Sequence, residues 1–154
     1  MQTADTLAFL LGTWALNRTI EDHRTTTSGL FEGQASVADL AAAGACSACQ
    51  RARYEESGEL RFGARVTRAS RSLLYARLDD ASVMLHFADG RPFVPLDLRS
   101  GEWHSVHHCG DDLYELDTTV HSPSVIQERW RVTGPSKDYV ALTTLTRASA
   151  AQRS

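Results

Sequence analysis

The sequence predicts an all-β fold: a single closed antiparallel up-and-down barrel of about ten strands, with a short N-terminal helix across one end. Three observations carry this. After Gly12 the side chains alternate with period two in run after run. Turn chemistry separates the runs at short intervals. No second helical segment is long enough to form the crossover of a βαβ unit.

Taken in order, Asp5 is placed to cap a helix in which Leu7, Leu10 and Leu11 share a face, and Gly12 stands where such a helix ends. The first strand follows, with Trp14, Leu16, Arg18 and Ile20 in one phase and Ala15, Asn17, Thr19 and Glu21 in the other. Further runs lie near 29–40, 48–56, 59–69, 72–78, 81–87, 93–98, 103–109, 112–120, 125–133 and 139–147. Ser57-Gly58, Asp79-Asp80, Asp89-Gly90, Gly110-Asp111, Ser122-Pro123 and Gly134-Pro135 read as the turns between them. An open sheet of so many strands leaves two long edges, and closure into a barrel removes them. The 154 residues suit one domain, which buries roughly 68–70% of its unfolded surface at this size. That domain is read as 1–148, with 149–154 as a disordered tail.

Several strands carry polar groups in both phases. Gln50, Ala52, Tyr54 and Glu56 alternate with Arg51, Arg53 and Glu55; Trp103, Ser105, His107 and Cys109 alternate with His104, Val106 and His108; Ile126, Glu128, Trp130 and Val132 alternate with Gln127, Arg129 and Arg131. Unpaired burial of such groups costs a few kcal/mol each, so a lumen with a partly polar wall is expected. The alternative keeps a Trp/Leu/Val core and leaves the arginines at the rims.

A net charge of -3 without a basic run argues against a nucleic-acid partner. The longest apolar stretch, Leu7 to Leu11, is far below the ~20 residues of a membrane-spanning helix, so no membrane partner is expected. Asp5 interrupts any secretory pattern, and three cysteines make no disulfide framework; a reducing cytoplasmic location follows as the expectation.

The run Phe9-Leu10-Leu11-Gly12-Thr13-Trp14, followed by Arg18 and Ile20, resembles the helix and Gly-x-Trp entry strand of the lipocalin-like (calycin) barrels. Three more segments extend the likeness: Phe87 to Arg91, His107 to Tyr114, and Trp130 to Tyr139 with Arg147 beyond it. Together they resemble domain of unknown function family 6314 over nearly the whole chain. The resemblance implies a calycin-like barrel and supplies no reaction and no catalytic residue. The chain departs from that pattern at Val94, where the family tends to place a His, and in the Ala-rich stretch 41–49.

Cys46-Ser47-Ala48-Cys49 has the spacing of a zinc half-site or redox dithiol, but no second ligand pair accompanies it, so two structural thiols and no metal are expected. On a strand, His104 and His108 share one face while His107 and Cys109 share the other; any haem or metal would need help from His86, Asp112 or Glu128. Asp89-Gly90-Arg91 reads as a hairpin turn, with Arg91 at the barrel mouth as a carboxylate clamp in its functional reading. Lys137 is expected beside Asp138, and Arg147 is expected to stack on Trp14.

The residues nominated to face the lumen are Arg51, Arg53, Tyr54, His107, Asp112, Tyr114, Glu128 and Arg129, with Arg91 and Trp130 as further ligand contacts. They contain no nucleophile triad, phosphate loop or dinucleotide fingerprint, so no cofactor is expected. The expected function is binding of a small organic molecule and its acid–base conversion in the lumen, of cyclase, isomerase or dehydratase type. His107 is the first-choice acid or base, Tyr114 a donor, Asp112 the carboxylate that orients His107, and Glu128 the second acid. A carrier or sensor of a small molecule, haem included, is the alternative. An exposed strand or apolar rim would support a homodimer.

Overall fold

The computed structural model describes residues 1–40 and 46–148, so the predicted tail and most of the Ala-rich stretch lie outside the described residues. A short helix, α1 (Thr6–Leu10), leads into ten antiparallel strands: β1 (Gly12–Asp22), β2 (Thr27–Asp39), β3 (Arg51–Phe62), β4 (Arg65–Arg77), β5 (Val83–Phe87), β6 (Pro92–Leu96), β7 (Glu102–Cys109), β8 (Asp112–Ser122), β9 (Val125–Thr133) and β10 (Asp138–Arg147). They form one sheet in the order β6-β5-β4-β3-β2-β1-β10-β9-β8-β7, so the first and last strands pair and the barrel is nearly closed.

The remaining seam lies between β6 and β7 and is closed by side chains. Trp103 Nε1 and Ser105 Oγ both donate to the Pro95 carbonyl, at 2.9 and 2.7 Å. The N-terminal arm fastens the same region. Thr6 donates its backbone N–H to Ala81 and accepts from Leu98 N–H through Oγ1, and Thr3 bonds the Leu98 and Arg99 carbonyls.

Asp5 caps α1 as expected, accepting from the N–H groups of Leu7 and Ala8, and Gly12 leaves the helix at φ 126°. Arg147 stacks on Trp14 at 4.1 Å and donates to the carbonyls of Phe9 and Leu11, tying the end of β10 to the end of the helix.

One predicted turn is not a turn. Ser57-Gly58 lies inside β3, which joins the run at 48–56 to the first part of the run at 59–69; the chain reverses at Gly63, φ 56°, and the rest of that run continues into 72–78 as β4. Gly58 pairs with Gly33 of β2, and a Cβ on either would collide with the facing backbone. The glycine marks a close approach of two strands, the other reading of glycine within a period-two run.

The barrel has two unlike ends. The connections after β2, β4, β6 and β8 lie at the α1 end, where Leu7, Leu10, Trp14, Val83, Leu98 and Ile126 pack into a dry core. The connections after β1, β3, β5, β7 and β9 surround the other end, which is open.

Candidate functional site

Strand alternation decides which nominated residues reach the interior. In β1 the phase of Trp14 and Leu16 continues into Arg18 and Ile20; in β3 that of Ala52 and Tyr54 continues into Glu56; in β9 that of Ile126 continues into Glu128, Trp130 and Val132. Halfway up the barrel this places a polar belt. Thr118 of β8 lies opposite Glu128 of β9, Glu128 opposite Thr143 of β10, and Thr143 opposite Arg18 of β1.

Arg18 reaches across to Glu56 with both terminal nitrogens, at 2.8 and 2.9 Å, and its Nε donates to Thr143 Oγ1 at 2.8 Å. Tyr54 donates its hydroxyl to the same Glu56 carboxylate at 2.5 Å. Arg71, opposite Glu56 on β4, stands 3.4 Å from it. Burial alone would raise the Glu56 pKa, but the bonds from Arg18 and the charges of Arg71 and Arg18 outweigh it, and the carboxyl ends below its ordinary value.

Glu128 goes the other way. Glu128 is half-buried, and desolvation of its carboxyl pushes its pKa up against the pull of Arg18 and Arg71, with Glu56 adding to the rise. Trp130 Nε1 approaches this carboxyl but meets no acceptor at hydrogen-bond geometry, and Thr118 Oγ1 is likewise buried without a protein partner. The two buried tyrosines below, Tyr54 and Tyr75, stack at 5.8 Å, and burial holds both phenols well above their ordinary pKa.

Above the belt a cavity of about 370 Å³ opens toward the mouth. Its floor is Arg18 and Arg71, and its walls include Ile20, Phe62, Phe93, Tyr114, Trp130 and Tyr139. Phe93 stacks on Trp130 at 5.2 Å, while Tyr114 and His107 meet Phe93 edge-on at 5.7 and 5.2 Å. A second hollow, of about 510 Å³, is rimmed by polar side chains such as Gln34, Ser36, Ser57, Ser70 and Ser72, with Glu56 and Arg71 of the belt and no aromatic ring. The aromatic-walled lumen has the mixed lining typical of small-molecule sites, and this hollow lacks it.

Of the nominated residues, Tyr54, Glu128 and Trp130 face the interior, and His107 and Tyr114 are cross-strand partners beside its mouth. The others do not line the lumen. Arg51 and Arg53 occupy the outward phase of β3 and are exposed. Arg129 points outward from β9, 3.9 Å from Asp117, because its neighbour Glu128 takes the inward phase. Arg91 lies at the exposed β5–β6 turn, paired to Asp89 at 2.7 Å. Asp112 does not orient His107; Lys137 takes it at 3.0 Å and donates to Tyr114 Oη at 2.9 Å, so the lysine is not held by Asp138. His104 pairs with Asp117 on the outer face, and among the described residues no three His, Cys, Asp or Glu side chains gather as a metal would require.

The belt also contains residues outside the sequence-based set: Arg18, Glu56, Arg71, Thr118 and Thr143. Arg18 stands out in the sequence as a charge in an otherwise apolar phase and Glu56 as a charge following Ala52 and Tyr54, whereas Arg71 and the threonines show no such contrast with their neighbours.

No curated protein matches the sequence. Among solved structures, the S-type phycobiliprotein lyase CPES from Guillardia theta aligns over 97% of this chain and 94% of its own, with TM-score 0.70 and 12% identity. A redesigned β-barrel, mFAP0, bound to DFHBI aligns over 90% and 99% of the two chains, with TM-score 0.44 and 13% identity. At such identities the likeness to the lyase concerns the fold. The sequence match is to a family of unknown function, and since it runs from residue 10 to residue 147, from the end of the helix through the last strand, the chain belongs to DUF6314.

Proposed function

We propose that this barrel binds a small, flat organic molecule in its upper lumen and converts it by acid–base catalysis without a cofactor. The observation that carries the reading is an aromatic cavity of about 370 Å³ set directly on a layer of buried charge. Phe93, Trp130 and Tyr114 supply apolar contact area, and Arg71, whose one ion pair among the described residues is the 3.4 Å approach to Glu56, is available to an anionic or polar group on the ligand. Glu128 is the favoured proton donor, since a carboxyl whose pKa is raised by burial holds its proton nearer to working pH. His107 and Tyr114 would act at the mouth. A cyclase, isomerase or dehydratase reaction fits such a set. The reading needs no second copy of the chain, because the lumen is enclosed by one.

The fold likeness to a phycobiliprotein lyase is compatible with a ligand-holding barrel and contributes nothing to the choice of reaction. A carrier is the second reading, favoured by the largely apolar upper wall.

The test uses 8-anilinonaphthalene-1-sulfonate as a probe, in the wild type and in Ala141→Trp, which fills the chamber. Binding that falls at least tenfold, in a variant that keeps a cooperative melt, supports the lumen; unchanged binding places the site elsewhere. Incubation with a metabolite extract, followed by mass spectrometry, separates the two readings. Conversion by the wild type that is lost in Glu128→Gln supports the enzyme, with His107→Ala and Tyr114→Phe testing the mouth. A bound compound recovered unaltered supports the carrier.

A further inference from the structure

Two buried polar atoms in the lumen make no protein hydrogen bond of good geometry, and they flank the same residue, Glu128, whose carboxyl the Trp130 N–H only approaches. Thr118 Oγ1 belongs to a residue that is 2% exposed, directly opposite Glu128 in the β8–β9 ladder. Trp130 Nε1 belongs to a residue that is 8% exposed, two positions along β9 on the same inward face. A buried donor left unpaired costs about 1–3 kcal/mol, and two around one carboxyl are hard to account for by packing alone. The surrounding groups are committed elsewhere: Arg18 to Glu56 and Thr143, and Tyr54 to Glu56. Trp103, opposite Thr118 on β7, spends its Nε1 on Pro95 and Ser105.

The chemistry of the two atoms narrows what completes them. An indole N–H can only donate, and a threonine hydroxyl can donate or accept. The partner must therefore present an acceptor. Trp130 also lines the aromatic chamber, and its ring is stacked on Phe93. A ligand lying against that wall would carry its acceptor toward the carboxyl below.

We infer that Thr118, Trp130 and Glu128 form a subsite for a carbonyl oxygen, and that the ligand is a flat unsaturated or aromatic carbonyl compound whose oxygen points into the polar belt. This deepens the proposed function and rests on the lumen being the binding chamber. Trp130 Nε1 and Thr118 Oγ1 hold the oxygen, and Glu128 in its protonated form donates a third bond. The charged and titratable groups facing Glu128 are Arg18 of β1, Glu56 and Tyr54 of β3, and Arg71 and Tyr75 of β4. In an acid–base reaction, this geometry places the proton of Glu128 beside the oxygen on which negative charge develops when a proton leaves the adjacent carbon. His107 at the mouth, an acid–base group of the proposed function, takes the proton from carbon; the C–H electron pair becomes the new C=C bond, the Glu128 proton passes to the oxygen to give the enol, and Glu128 is left as the carboxylate.

The test compares two probes of like shape, 2-acetylnaphthalene and 2-isopropenylnaphthalene, by equilibrium dialysis. Only the ketone has an acceptor oxygen. An apolar chamber without the subsite favours the alkene, because the ketone must shed its water. With the subsite, the wild type binds the ketone about tenfold more tightly or better. The preference shrinks at least about threefold in Thr118→Val and in Trp130→Phe, each of which removes a donor while keeping bulk near that of the original. Thr118→Ala replaces the valine variant if the latter fails to fold, as judged by its melt. Equal binding of the two probes, or tighter binding of the alkene, overturns the carbonyl subsite and leaves the chamber standing. A ketone preference untouched in both variants overturns the assignment to Thr118 and Trp130. Binding of neither probe overturns the chamber and the subsite together.

Discussion

Arg18 and Glu56 form a bidentate pair whose side chains are 12% and 5% exposed, and the cost of taking both from water is offset only while each keeps the other. Arg18→Met should therefore lower stability by up to about 3–5 kcal/mol, with Arg71 at 3.4 Å limiting the loss. Arg18→Met with Glu56→Leu should recover much of it, since two charges leave the interior together. Urea unfolding measures both, and a single variant within about 0.5 kcal/mol of wild type would mean that the pair contributes little. The Glu56 and Glu128 carboxyls also respond to pH with opposite signs. Glu56 has a lowered pKa in the fold, so its contribution is present above the unfolded value and is lost as pH falls through the range below the ordinary 4.5. Glu128 has a raised pKa, so its contribution is complete below the unfolded value and is lost as pH rises through the folded value above 4.5. Glu128→Gln removes that loss. The variant should be more stable than wild type at pH 8, by on the order of 1 kcal/mol, and the advantage should vanish below about pH 4. Thermal melts across pH check this, and an advantage that grows on acidification would contradict it.

At the level of elements, the helix and the last strand are one fastening. Arg147 covers Trp14 and binds the two carbonyls that end α1. Arg147→Ala should cost about 1–3 kcal/mol and leave probe binding at the opposite end unchanged. Reduced binding at an unchanged melting temperature would contradict that division. The β2–β3 ladder depends on Gly33 facing Gly58, and Gly58→Ala forces a methyl group against the Glu32 carbonyl. The expected loss is about 1–3 kcal/mol by urea unfolding, and a neutral substitution would mean that the two backbones separate easily. The sequence carried the elements themselves because alternation and turn residues are local. Asp5, Gly12, Gly90 and Gly110 are legible from their neighbours: Asp5 caps the helix and the three glycines take positive φ where the chain turns. Gly58 was not, because a glycine that bends a ladder and a glycine that turns it look alike until the partner strand is known.

At the scale of the whole molecule, the seam between β6 and β7 is where, among the described residues, side chains replace the ladder. Trp103→Phe combined with Ser105→Ala should speed amide exchange in β6 and β7 about tenfold or more while β1 to β3 keep their protection. Uniform acceleration across the sheet would show that the seam sets global stability instead. The sequence by itself determined the strands apart from the division of β3 and β4, their alternation, the capped helix and the expectation of a partly polar interior, because each follows from spacing along the chain. It also put Arg18, Glu56, Glu128 and Trp130 in the phases that prove to be inward. Only the tertiary structure decided which phase of each strand faced in, and hence that Arg51, Arg53 and Arg129 point outward. Only it joined Arg18 to Glu56, 38 residues away, and gave Asp112 to Lys137 instead of His107. Alternation fixes that neighbouring residues point to opposite sides; which side is the lumen, and which charge waits across it, depends on closure and register between strands far apart in the chain.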